Sequence, residues 1–94
     1  MTFDFKDKVV LITGAAAGLG YACAQAFAAA GAKLVITDIS QDALDQAVEN
    51  LQQDGTEVLG LLNDASDSAD VAVMMAALVA RFGRLDIAVN NAGT

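Results

Sequence analysis

A glycine-spaced segment between an apolar run and an alanine-rich stretch is the part of the chain best suited to chemistry. It reads TGAAAGLG over residues 13–20 and lies between Val9–Ile12 and residues 21–30. Glycine lets the backbone adopt positive φ and approach a ligand, while the free N–H groups and dipole of a following helix favour negative charge. The pattern therefore predicts a turn that binds the pyrophosphate of a dinucleotide. Its candidate binding residues are Gly14, Ala16, Ala17, Gly18, Leu19 and Gly20.

An acidic residue follows this turn at a spacing that suits a dinucleotide. The apolar run Leu34–Thr37 ends in Asp38, which comes 18 residues after Gly20. An acid that meets the ribose hydroxyls of bound NAD falls about 20 residues beyond such a turn. Alternatively, Asp38 belongs to the N-cap region of a helix that starts near Ser40. The two roles are compatible.

Two further polar segments are expected at the same edge of the fold. Residues 63–65 (Asn-Asp-Ala) close a third apolar run, and residues 90–93 (Asn-Asn-Ala-Gly) close a fourth. Open parallel sheets bind ligands at the carboxyl ends of their strands. Asp64 could accept a hydrogen bond from an adenine amino group, and the backbone of residues 90–93 could pack against the adenosine ribose. Alternatively, Asp64 only begins a turn and the two asparagines only tie loops together.

The elements that must position these residues alternate regularly along the chain. Continuous apolar strands separated by helices predict an α/β fold in which helices cover both faces of a parallel sheet. Asp67 is expected to cap the third helix, with Asp70 at the N3 position of a capping box. The predicted strands are 9–12, 34–37, 58–62 and 85–89, and the predicted helices are 19–30, 40–54 and 67–82.

Composition argues against several classes of partner. The net charge is −7 with five basic residues, so no cationic stripe is available for a nucleic acid. The chain has no histidine and one cysteine, Cys23, which we expect to pack in the core; a transition-metal site therefore has no support. No apolar run approaches the roughly 18 residues that span a bilayer. The first residues do not resemble a signal peptide, so a cytoplasmic location is expected.

Taken together, these motifs resemble the short-chain dehydrogenase/reductase family. The TGxxxGxG turn, Asp38, Asp64, and FGRLD at 82–86 leading into NNAG at 90–93 carry the resemblance over essentially the whole chain. It implies a Rossmann-type doubly wound parallel sheet with strand order 3-2-1-4 in this portion. It also implies hydride transfer between a nicotinamide cofactor and an alcohol or ketone.

The resemblance further implies a role for individual positions. The backbone of Ala17–Leu19 would hold the pyrophosphate, and Asp38 would hold the adenosine ribose. Asp64 and Ala65 would hold adenine, with Ala65 standing where the family usually has valine. The full set expected at the carboxyl edge is Asp38, Asp64, Ala65, Asn90, Asn91, Ala92 and Gly93, of which Asn91 would contact the ribose and Asn90 would brace the central sheet.

By the resemblance, the proton chemistry of the family uses a Ser together with a Tyr-x-x-x-Lys motif, and all of these would lie after Thr94. The single tyrosine of this chain, Tyr21, has Gln25 four residues later, so no catalytic residue is expected in residues 1–94. We therefore expect the amino-terminal part of one Rossmann-fold NAD(P)-binding domain, apparently truncated after the fourth strand. The strand at 85–90 would then leave an open apolar edge, and the complete enzyme would be a homo-oligomer. The alternative is a non-catalytic dinucleotide-binding or interaction module.

Charge favours NAD over NADP as the cofactor. The 2′-phosphate of NADP needs a cation just before the second glycine or just after the second strand, but those positions are Ala17 and Ile39. The carboxylate of Asp38 would also repel that phosphate. The substrate is expected to be a small alcohol or carbonyl compound whose identity this part of the chain does not specify.

Overall fold

A computed structural model describes residues 4–91, which form a parallel sheet with helices on both faces. The strand order is β3-β2-β1-β4, and all three strand pairs are parallel. The predicted Rossmann-type α/β fold and its strand order are therefore confirmed. The elements are β1 (Val9–Thr13), α1 (Gly18–Ala29), β2 (Lys33–Asp38), α2 (Gln41–Gln53), β3 (Val58–Leu62), α3 (Ser68–Phe82) and β4 (Ile87–Asn90).

The strand β1 is buried on both faces because helices cover each side of the sheet. Its side chains alternate: Val10 and Ile12 pack with α1 and α2, whereas Val9 and Leu11 pack with Met74 and other α3 residues. All five β1 residues are buried, as expected for a central parallel strand. This double covering explains why the sequence shows an unbroken apolar run rather than an alternating one.

The strand β4 lies at the end of the sheet within the described part of the chain. An open trough of about 330 Å³ runs beside it, with a largely apolar lining that includes Met75, Leu85 and Val89. Among residues 4–91, no helix is long and apolar enough to cross a membrane.

The start of β4 differs from the sequence prediction, which placed it at Leu85. The strand begins at Ile87 because Asp86 bonds to the start of β1 through its side chain as well as its backbone. Its Oδ2 accepts from the Val9 N–H at 2.8 Å, and its own N–H donates to the Val9 carbonyl at 3.0 Å. Arg84 forms an ion pair with the other carboxylate oxygen. The Arg84 hydrogen bond, helped by the Val9 N–H, lowers the pKa of Asp86.

Replacing Asp86 by asparagine is expected to destabilise the fold at neutral pH. Because the Arg84 hydrogen bond holds the folded-state pKa of Asp86 below the usual aspartate value of about 3.9, the stabilisation is present above that value and disappears as the pH falls through the folded pKa. Urea unfolding of both proteins at pH 7 and pH 3 measures the difference. The gap between them should narrow at pH 3, and a gap independent of pH would contradict the role given to the charge.

Candidate functional site

The turn between β1 and α1 has the backbone shape predicted from its glycines. Gly14 has a φ of +64° and Gly18 a φ of +60°, in the left-handed region that other residues occupy only with strain. The N–H of Ala15 donates to the carbonyl of Thr37 at 3.0 Å. The turn is therefore held against the carboxyl end of β2.

The amino terminus of α1 presents uncapped N–H groups to solvent. Its N-cap is Ala17, which has no side-chain acceptor, and its first turn contains no acidic residue. The first N–H groups of a helix have no acceptor within the helix, so these amides can bind an external anion. By contrast, α2 is capped by Ser40 and α3 by Asp67. Of the three helices in residues 4–91, only α1 begins without a side-chain cap, and it follows directly on the glycine turn.

Gly20 brings α1 into close contact with the turn. A Cβ at this position would lie 2.4 Å from the carbonyl oxygen of Gly14 and 2.7 Å from Nδ2 of Asn91. Both distances are far below van der Waals contact, and the nearer atom belongs to the backbone. Only glycine therefore allows the first turn of α1 to rest on the ends of β1 and β4.

Asp38 connects the glycine turn to the start of α2. Its Oδ2 accepts from the Ala16 N–H and its Oδ1 from the Ser40 N–H, both at 3.1 Å. The cap of α2 is Ser40, whose hydroxyl accepts from the Ala43 N–H, so Asp38 supports the cap without being it. A carboxylate oxygen can accept more than one hydrogen bond, which leaves acceptor capacity for a ligand hydroxyl.

Asp64 begins a turn at the end of β3, as the simpler of the two sequence interpretations proposed. Its Oδ1 accepts from the Ser66 hydroxyl at 2.6 Å and from the Ser66 N–H at 2.9 Å. These bonds, led by the hydroxyl, lower the pKa of Asp64. Its carbonyl accepts from the Asp67 N–H at 3.0 Å, which closes the turn.

The capping box predicted for α3 is only half correct. Asp67 caps the helix by accepting from the N–H groups of Ala69 and Asp70. Asp70 does not return a bond to the Asp67 N–H, because that group already donates to Asp64. Its Oδ2 instead accepts from the Asp64 N–H at 3.0 Å, so Asp70 holds the turn that follows β3.

Asn90, the last residue of β4, and Asn91, which follows it, tie the strand ends together. Thr13 Oγ1 donates to Asn90 Oδ1 at 3.2 Å and accepts from the Asn91 N–H at 3.0 Å. Nδ2 of Asn91 donates to the Gly14 carbonyl at 3.1 Å. The predicted positions Ala92 and Gly93 lie outside the described residues.

A cavity of about 390 Å³ joins residues from the carboxyl ends of all four strands. It brings together five of the predicted residues, while Ala16, Ala17, Gly18, Leu19, Gly20 and Asn91 do not line it. Three residues of the lining, Ile39, Asn63 and Ser66, were not predicted from the sequence as ligand contacts. Ile39 could have been identified from the sequence, because it is a large apolar residue between the polar residues Asp38 and Ser40. In the structure it is 76% exposed. The lining consists of Gly14, Asp38, Ile39, Asn63, Asp64, Ala65, Ser66 and Asn90.

Comparison with known proteins agrees with this geometry. The family model described as short chain dehydrogenase matches residues 8–94. The chain therefore belongs to the short chain dehydrogenase family.

Individual relatives show how much of a family member the chain represents. It is 42% identical over 90 residues to a CLA biosynthesis dehydrogenase/reductase of Lactiplantibacillus plantarum, covering 96% of this chain and 32% of that protein. It is 44% identical over 94 residues to levodione reductase of Leifsonia aquatica, covering 98% of this chain and 35% of the relative. The chain thus spans about a third of the length of the curated relatives it matches.

Two solved structures of similar proteins were determined in complex with a nicotinamide dinucleotide. A short chain dehydrogenase/reductase from Burkholderia phymatum in complex with NAD is 38% identical, with a TM-score of 0.88; the match covers 93% of this chain and 31% of that one. L-Sorbose reductase from Gluconobacter frateurii, complexed with NADPH and L-sorbose, is 36% identical with a TM-score of 0.96; the match covers 100% of this chain and 36% of that one.

Replacing Gly20 by alanine is expected to disrupt both packing and the turn. The added methyl group would strike the Gly14 carbonyl, so we expect a loss of about 1–3 kcal/mol, typical of overpacking. Urea unfolding measures this loss, and a titration with NADH measures dinucleotide binding, which should weaken as the turn shifts.

Gly55→Ala is the matched control for this change. It adds the same methyl group at a position with no atom within 4 Å but with a positive φ. It should lose stability by backbone strain, about 1–2 kcal/mol, yet retain dinucleotide affinity. Equal loss of affinity in both variants would contradict a specific role for Gly20.

Proposed function

We propose that residues 1–94 are the cofactor-binding, amino-terminal part of a single Rossmann-type domain in an NAD-dependent oxidoreductase. The complete enzyme would transfer hydride between nicotinamide and an alcohol or ketone. The observation that carries this proposal is the combination of an uncapped helix terminus with a cavity at the carboxyl edge of the sheet. Both features are found where open α/β sheets bind nucleotides.

The pyrophosphate would lie against the N–H groups of Ala17, Gly18 and Leu19. These residues are exposed, and no acidic side chain in the first turn of α1 competes with a phosphate. The dipole of α1 adds a partial positive charge at the same point. Gly14, Ala16 and Gly20 would act by shaping the turn, since Ala16 is held by Asp38 and Gly20 permits close packing.

The adenosine half would occupy the cavity between β2 and β3. Asp38 would accept from the ribose hydroxyls, and Asp64 with Ala65 would face the adenine edge. The exposed side chain of Ile39 would cover one face of the adenine ring, because a large apolar group at a cavity rim gains most from an apolar partner. Asn90 and Asn91 would hold the strand ends on which the ribose rests, with Ala92 and Gly93 continuing that surface.

The chemistry of the reaction would come from the nicotinamide ring, which accepts or donates a hydride. The residues of this chain would bind and orient the dinucleotide. Tyr21 takes no part in proton transfer under this proposal, because it lies on α1 packed against the sheet core. The proton-transferring residues would belong to the remaining two thirds of a family member.

We also assign NAD rather than NADP as the preferred cofactor. Among residues 4–91, the cavity is lined by two acidic side chains, Asp38 and Asp64, and by no basic residue. A 2′-phosphate placed beside Asp38 would meet a like charge without a compensating cation. The same proposal includes a homo-oligomeric complete enzyme, a small alcohol or carbonyl substrate, and a cytoplasmic location.

The cofactor preference is expected to depend on the charge of Asp38. We expect NADH to bind at least about tenfold more tightly than NADPH, which corresponds to ~1.4 kcal/mol. Asp38→Asn should narrow this ratio, chiefly by improving NADPH binding. Glu49→Gln, which removes the same charge from an exposed position on α2, should leave the ratio unchanged. Fluorescence titrations with NADH and NADPH measure the affinities of all three proteins, and equal affinity for both cofactors in the unaltered protein would refute the assignment.

Truncating Ile39 is expected to weaken binding of the adenosine half. Ile39→Ala should reduce the affinities for NADH and for ADP-ribose by a similar factor, roughly 5- to 10-fold, given ~25 cal/mol per Å² of apolar contact. Stability should hardly change because the side chain is 76% exposed. Val73→Ala on α3, where the side chain is 68% exposed, is the control and should bind as the original does. Unchanged affinity in Ile39→Ala would exclude the contact.

A further inference from the structure

Two buried polar atoms at the carboxyl end of the sheet have no hydrogen-bond partner among the described residues. They are Oγ1 of Thr37, on a residue only 1% exposed, and Oδ1 of Asn63, on a residue 7% exposed. Leaving a buried hydroxyl or amide oxygen unpaired costs free energy, and buried polar groups in proteins are nearly always paired with protein or ordered water. Two such atoms in one part of the fold therefore require an explanation.

Both side chains lie on the same face of the sheet. Val35, two residues before Thr37, and Leu61, two residues before Asn63, pack in the apolar cluster beneath α3. Because side chains alternate along a strand, Thr37 and Asn63 point toward α3 as well. Thr37 is in register with Leu61, which makes Asn63 its diagonal neighbour.

The orientation of the Asn63 amide is fixed by α3. Its Nδ2 donates to the Asp70 carbonyl at 2.8 Å in the first turn of that helix. Its backbone N–H donates to the Asp38 carbonyl at 3.0 Å, which anchors the residue to β2. Oδ1 consequently cannot exchange places with Nδ2 without losing a good bond.

We propose that one ordered water molecule bridges Thr37 Oγ1 and Asn63 Oδ1 beneath the floor of the cavity. The water would donate to Asn63 Oδ1, which only accepts, and would accept from or donate to the threonine hydroxyl. Diagonal neighbours on one sheet face lie close enough for their side chains to interact, and a buried water typically makes about three hydrogen bonds. Asn63 also lines the cavity, which gives the water a route inward.

This water would position the two acidic residues of the rim. Asp38 directly follows Thr37, and Asp64 directly follows Asn63. A bridge between the preceding side chains fixes the separation of the strand ends that carry both carboxylates. Its existence follows from the buried oxygens alone and does not require the proposed cofactor.

A crystal structure of the unaltered protein at high resolution tests the bridge directly. We expect a spherical density peak within about 3.2 Å of both oxygens. A direct hydrogen bond from a protein group to either oxygen, or the absence of density between them, would overturn the proposal.

Thr37→Val tests the same bridge in solution, since valine keeps the shape and removes the hydroxyl. We expect its unfolding equilibrium constant to rise about fivefold, as for the loss of one buried hydrogen bond. The half-buried loop residue Thr56 provides the control, and Thr56→Val should change that constant by less than about twofold. A Thr37→Val variant as stable as the original, or more stable, would show that the hydroxyl has no partner and would overturn the bridge. If this variant does not fold, the crystal structure decides.

Discussion

The close approach of α1 to the carboxyl end of β1 is the constraint on which the site depends. It requires a residue without a Cβ at position 20, where the Gly14 carbonyl and the Asn91 amide leave no space. The approach places the free amides of the helix terminus beside the sheet edge rather than in open solvent. A side chain at this position would move the helix away and separate the glycine turn from the cavity.

Short polar side chains at the sheet edge hold the backbone of neighbouring segments. Asp38 joins the glycine turn to α2, Asp70 holds the turn after β3, and Asn91 holds Gly14. In each case a side-chain oxygen or amide bonds to the main chain of a neighbouring segment. The edge is therefore pre-organised, which reduces the ordering that a ligand would have to impose. Asp38 and Asn91, which we propose as binding residues, therefore also hold the structure together in this part of the fold.

The sequence was sufficient to predict the fold because its apolar runs and glycine spacing are local signals with one structural solution. The short apolar run at Val9–Ile12, which a glycine turn follows, favours a strand covered on both faces, and the family resemblance implied the strand order. Hydrogen-bond partners were harder to predict. Asp70 was expected to complete a capping box, but the path of the preceding turn had already satisfied Asp67. Such choices depend on where a loop places its N–H groups, which spacing does not reveal.

The cavity lining was predicted only in part for a related reason. Asp38, Asp64 and Ala65 follow strands and carry recognisable chemistry, whereas Ile39 and Asn63 look like ordinary apolar and polar residues in the sequence. Ile39 stands out because its large apolar side chain is exposed at the cavity, and Asn63 stands out because its polar side chain is buried there. Both are properties of the folded chain.

The most direct test of the central claim is an NMR titration of the ¹⁵N-labelled chain with NAD. If the uncapped end of α1 binds the pyrophosphate, the amide signals of Ala17, Gly18 and Leu19 will shift most, together with that of Ala65 at the adenine edge. Unmoved signals for the turn at saturating NAD, or shifts confined to another surface, would contradict the account.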